Sequence, residues 1–175
     1  LGPDLLVATP GRLARIDARG AVPLPLALPG VSDLSHVELR RPTHCGDAVV
    51  FLALRAIYGR DAVHTEPLGA FALRAGSVPS KIAVEGTPTD VFTSDGSCYL
   101  LTSRPTDDGH YLASIYARRG DRWMLDAAAS VDAFARSGEL LGRFFYIGLG
   151  CEPGACDATA GHLVRVPVAG KRAPS

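Results

Sequence analysis

A cysteine and a glycine, Cys45 and Gly46, stand directly before "DAVVFLALRAIY", a run in which nearly every residue is apolar. A thiol at a helix entrance faces unpaired backbone N–H groups and the positive end of the helix dipole, and both favour the thiolate. Such a sulfur is a nucleophile if the rest of the chain supplies a base and a group to orient that base. His110, just after the turn "TDDG", offers an imidazole, and Asp126, closing "RWMLDA", offers a carboxylate. A hairpin turn at residues 118–121 pairs the two strands antiparallel and carries residues 110 and 126 toward one end of a sheet. The competing reading is that Cys45 is a small buried residue, the commoner fate of a lone cysteine.

The elements that would hold these groups follow from the pattern of apolar residues. From Asp47 to Tyr58 they wrap around every face, which predicts a buried central helix stopped by Gly59. "PLGAFALRA" reads as a second, shorter helix ending at Gly76. The texture then changes to strands, "KIAVE", "DVFTS", "SCYLLTS", "HYLASIYAR" and "RWMLDA", divided by "SDGS", "TDDG" and "RRGD". Residues 131–142 read as a short helix, and "RFFYIGLG" and "GHLVRVPVAG" as further strands. A buried helix followed by an antiparallel sheet is an α+β fold. The expected divisions are an arm or edge hairpin over 1–30, a catalytic domain over 31–150, and a loop, last strand and tail over 151–175.

"HCGDAVVFLALRAIYGRD" resembles the nucleophile helix of the papain-like cysteine peptidases that cleave double-glycine leader peptides. "GHYLASIYARRGDRWMLDAAASVDAFARSGELLGRFFYIG" is similar to their histidine strand, aspartate strand, short helix and closing strand. The resemblance covers residues 40–149 and implies a papain-like fold with Cys45 as nucleophile, His110 as general base and then acid, and Asp126 orienting the imidazole. It implies thiolate attack on an amide carbonyl of a peptide or protein substrate, then hydrolysis of the acyl-enzyme, with no cofactor and no metal. Transglutaminase-like proteins share the same order of Cys helix, His strand and Asp strand. The family's glutamine before the cysteine is absent from "HVELRRPTH", and Ala127 replaces the proline that follows its aspartate. The oxyanion then falls to backbone N–H groups such as that of Cys45.

Composition sets the remaining bounds. In 175 residues, 18 Lys and Arg balance 18 Asp and Glu, so no broad field points to nucleic acid or an anionic membrane. No apolar run reaches the roughly 20 residues that span a bilayer. The chain begins at Leu1 rather than Met, which leaves room for a leader, an anchor or a fused transporter outside it. Cys151 and Cys156 bracket the turn-rich "CEPGAC" and can close a small disulfide loop, which would imply an oxidising, extracytoplasmic compartment. Cys98 reads as a buried strand thiol, His44 as a solvated loop residue, and Trp123 and Tyr116 as packing residues. Two other functional classes compete with the peptidase. One is a catalytically silent peptide-binding domain of the same fold; the other is an all-β, propeller-type interaction module, which has no room for a buried helix at 47–58.

Overall fold

The computed structural model describes residues 5–9, 12–17, 19–24, 26–60, 63–151 and 161–168. Every regular element among them is a β-strand, and every strand pairing is antiparallel. This overturns the α+β, papain-like expectation, because the nucleophile helix that fold requires is a strand. The chain divides into two compact units, residues 1–82 and 83–175.

In the first unit, β1 (Leu5–Thr9), β2 (Arg12–Asp17) and β3 (Gly20–Leu24) form a three-stranded meander where an arm or edge hairpin was expected. β4 (Val37–Cys45), β5 (Ala48–Tyr58), β6 (Val63–Arg74) and the short β7 (Ser80–Lys81) form a four-stranded one. The segment read as a buried helix is β5, and the one read as a second helix lies in β6. Cys45 pairs with Ala48, so Gly46 and Asp47 are the two central residues of a tight hairpin turn. Gly46 has φ 64°, the positive value that a type II′ turn places at its first central position and glycine adopts freely. The Cys-Gly pair is thus the end of one strand and a reversal, with no helix terminus to activate the sulfur.

The first seven residues of β5 are all apolar because both faces of the strand are covered there: Val50, Phe51, Leu52 and Ala53 are successive residues, and all four are buried. Successive strand side chains point to opposite faces, so only a strand buried on two sides shows such a run. Phe51 lies opposite Phe71 of β6, their rings stacked with centroids 6.0 Å apart. Around them Leu13, Leu28, Val37, Leu39, Val49 and Leu73 complete the unit's core.

The second unit is a sandwich of two sheets. β8 (Thr87–Ser94), β9 (Ser97–Pro105), β10 (Tyr111–Arg119) and β11 (Arg122–Val131) form one, in the order β11-β10-β9-β8. The other is β12 (Phe134–Leu141), β13 (Phe144–Gly150) and β14 (His162–Pro167). β12 is the segment read as a short helix. Asp95 (φ 49°) and Gly96 (φ 72°) make the type I′ turn that "SDGS" announces between β8 and β9. Leu101, Ala113, Ile115 and Ala117 of one sheet face Leu140, Phe145, Ile147 and Leu149 of the other, the alternate positions that two packed sheets interdigitate.

β12 crosses the larger sheet on a diagonal. Phe134 meets the ring of Tyr111 in β10, with centroids 5.8 Å apart. The Ala135 N–H donates to Ser103 Oγ of β9 (3.1 Å), and the Gly138 N–H donates to Asp90 Oδ2 of β8 (2.9 Å). The Ser94 hydroxyl then donates to the Leu140 carbonyl (3.2 Å). These side chains satisfy β12 backbone groups that β13 does not take, which an open strand edge otherwise leaves to water or to another chain. Asp90 is buried and also accepts from the Val91 N–H (3.0 Å). Gly138 is held against Phe92 so closely that a Cβ there would stand 2.7 Å from Phe92 Cε1. Phe92 is itself stacked on Tyr99, centroids 5.3 Å apart, and has little room to withdraw. Gly138→Ala is therefore expected to lower stability by about 1–3 kcal/mol, as overpacking does, measured as a reduced midpoint in urea with an unchanged slope.

Candidate functional site

The structure does not assemble the expected triad. Cys45 ends β4, is 1% exposed, and its sulfur is in a disulfide, so it carries no thiol to ionise. His110 is exposed in the turn before β10. Its backbone N–H donates to Asp108 Oδ1 (3.3 Å) and its carbonyl accepts from the Thr106 N–H (2.9 Å). The Thr106 hydroxyl donates to the same oxygen of Asp108 at 2.5 Å, and this bond, followed by that from His110, holds the Asp108 carboxyl below its ordinary pKa.

The hairpin turn expected at residues 118–121 is present, with Arg119 opposite Arg122, but its register separates the other two members of the triad. Tyr111 pairs with Val131, whereas Asp126 is the extra residue of a β-bulge between the pairs Ile115–Ala127 and Tyr116–Leu125. At about 3.3 Å per residue, His110 and Asp126 lie roughly 17 Å apart along the strands. Asp126 Oδ1 faces Arg119 Nη2 at 3.8 Å, and its Oδ2 is buried with no hydrogen-bond partner among the described residues.

Of the other residues weighed, Cys98 and Cys151 are each in disulfide linkage, and Cys98 is buried in β9. Cys156 lies outside the described residues. His44 is exposed, as expected, but on strand β4 rather than in a loop. Tyr116 is half-buried in β10, and its hydroxyl accepts from the Glu85 N–H (3.2 Å).

A different surface carries the features of a contact site. β4 begins at Val37, which pairs with Arg55 of β5. Beyond Arg55 the chain of β5 pairs with Thr65, His64 and Val63 of β6, and from Ile57 onward the two strands continue as a two-stranded ribbon. The Ala56 N–H donates to the His36 carbonyl (2.8 Å), and Arg55 Nη1 meets Glu66 Oε2 across the ribbon's base at 3.3 Å. At its end Ile57 is 47% exposed, Val63 56% and Tyr58 67%. Tyr58 and Val63 face each other across the strands on one side, Ile57 and His64 on the other. The Tyr58 ring is nonetheless positioned, standing edge-on to the His36 ring at 5.4 Å. An exposed tyrosine held against His36, with Val63 beside it, is the kind of aromatic anchor that concentrates binding energy at protein interfaces. In the sequence His36 reads as a loop or strand-end residue without a partner, and Tyr58 as the last turn of a helix; the "YGRD" turn signal after an apolar run was the clue to a hairpin.

Fold and surface together define an all-β protein of antiparallel meanders with disulfide-bonded cysteines. No protein-family model, curated protein or solved structure matches the chain, so the resemblance to the leader peptidases is withdrawn along with the fold it implied. Among the described residues no helix is long and apolar enough to cross a membrane.

Proposed function

We propose that this chain is a non-catalytic interaction module that engages a protein partner through the end of the β5–β6 ribbon. The observation that carries this reading is the exposed pair Tyr58 and Val63, side by side on one face of the paired ribbon. Its occupant is an apolar depression on another protein, since the balanced charge of the chain favours no polyanion. The meanders, each a run of sequence-adjacent antiparallel strands, fit an all-β interaction module of the propeller type. Disulfide-bonded cysteines fit an oxidising, extracellular setting.

The test is selection of a displayed library of small folded domains with varied concave surfaces on the folded, unreduced protein. Binders are expected to be enriched, and Tyr58→Ala should weaken them by tenfold or more, as loss of an interface anchor does. Failure to enrich any binder, or binders indifferent to Tyr58, would remove the reading. The circular dichroism spectrum of Tyr58→Ala should match the parent, because its side chain is largely in solvent.

A further inference from the structure

The β12–β14 sheet has one face in the sandwich; on the other, the central residues are half-buried and those of the flanking strands mostly exposed. Phe145, Ile147 and Leu149 of β13 point into the sandwich, which turns Phe144, Tyr146 and Gly148 to the outer face. The register lays that outer face out in three rows across β12, β13 and β14: Leu141–Phe144–Pro167, Glu139–Tyr146–Arg165, and Ser137–Gly148–Leu163. Leu141 is 54% exposed and Leu163 69%, at opposite corners of the face. The Arg165 guanidinium lies over the Phe144 ring at 4.4 Å, and that of Arg143 at 5.4 Å. Glu139 is exposed and forms no ion pair among the described residues.

We infer that the outer face of β12–β14 binds a second copy of this chain. The middle row has a negative end, an aromatic centre and a positive end, and Glu139 and Arg165 are separated by the full width of β13. They stand roughly 10 Å apart at the usual strand spacing. A twofold axis lying along β13 turns a second copy over onto the face. It sets Glu139 of each copy against Arg165 of the other, with Tyr146 and Phe144 meeting their own equivalents in the middle. The face is thus complementary to itself in charge and in apolar content, as an isologous interface requires. Two sheets packed with nearly aligned strands already form this unit's interior, and the dimer repeats that packing outside it. The formal charge of zero puts no net repulsion between copies. Three strands and seven residues make a face of roughly 15 by 23 Å, the scale of a weak, concentration-dependent contact rather than an obligate one.

Sedimentation velocity from about 5 to about 200 µM tests this. A monomer–dimer equilibrium in the micromolar range is expected, weakened as salt rises from about 0.05 to about 0.5 M. Glu139→Arg and Arg165→Glu should each weaken the dimer by tenfold or more, and the double exchange should restore it, because the two charges again face their opposites. A protein that stays monomeric throughout, a dimer that survives either single exchange, or a double variant that remains monomeric overturns the inference. All of these positions are exposed, and thermal melts establish that each variant is folded. Should one not fold, the salt series on the unaltered protein decides, since a dimer indifferent to salt is not held by these pairs.

Discussion

Phe145→Ala is expected to cost about 3–5 kcal/mol, the range for deleting a fully buried aromatic ring. Phe145 is completely buried at the centre of the second unit's core, where its ring meets Tyr99 edge-on at 5.2 Å and Phe92 at 6.4 Å. Phe92 and Tyr99 are stacked on each other, so removal of the third ring takes the edge contact from both. The surroundings are strands pinned by ladder bonds on each side and collapse only in part into the space. A loss of this size is a large share of the 5–15 kcal/mol that holds a typical domain together. Urea denaturation followed by tryptophan fluorescence measures it; a loss under about 1 kcal/mol would mean that the ring does not sit where the structure puts it.

Cys45→Ser separates structure from chemistry. The buried sulfur is disulfide-bonded, so its replacement should cost about 2–5 kcal/mol, with a fall at least as large when the parent is reduced, since reduction also opens the disulfide of Cys151. A nucleophilic cysteine behaves in the opposite way: serine removes activity and leaves stability nearly unchanged. Iodoacetamide gives a second reading of the same point. Position 45 should resist alkylation in the unreduced, native protein and become reactive only after reduction. Rapid labelling of Cys45 without reductant would contradict the disulfide and reopen thiol chemistry.

Much of the second unit was legible as strands, and the reasons are local. "SDGS" and "RRGD" placed turns where the chain does reverse, and the β-branched and aromatic residues of "SCYLLTS", "HYLASIYAR" and "RFFYIGLG" placed strands between them. The helix assigned to 47–58 failed for a physical reason. A run without polar interruptions has no periodicity, and it suits a strand covered on both faces as well as a buried helix. Val49, Val50 and Phe51 are β-branched or aromatic and favour the strand, whereas the length of the run favoured the helix. In 131–142, Ala, Glu and Leu gave a helical propensity that burial of Ala135 and Leu140 against the larger sheet overrides. The triad failed on register: a turn closing Arg119 on Arg122 sets residue 111 opposite 131, and the bulge displaces Asp126 further. Long-range pairing of this kind is invisible to motif spacing. The contact surface on the β5–β6 ribbon could not be read before β5 was known to be a strand.

The successive burial of Val50, Phe51, Leu52 and Ala53 has a consequence for the chain outside its native state. "AVVFLAL" carries no charge and no proline and combines high strand propensity with high hydrophobicity, the signature of segments that stack into cross-β fibrils. Asp47 and Arg55 flank it and act as gatekeepers, paired with Arg74 (2.9 Å) and Glu66 in the native sheet and free to repel like neighbours once that sheet opens. Solubility therefore depends on keeping β5 between its neighbours, and substitutions that loosen the first unit are expected to cause aggregation before they expose a stable unfolded chain.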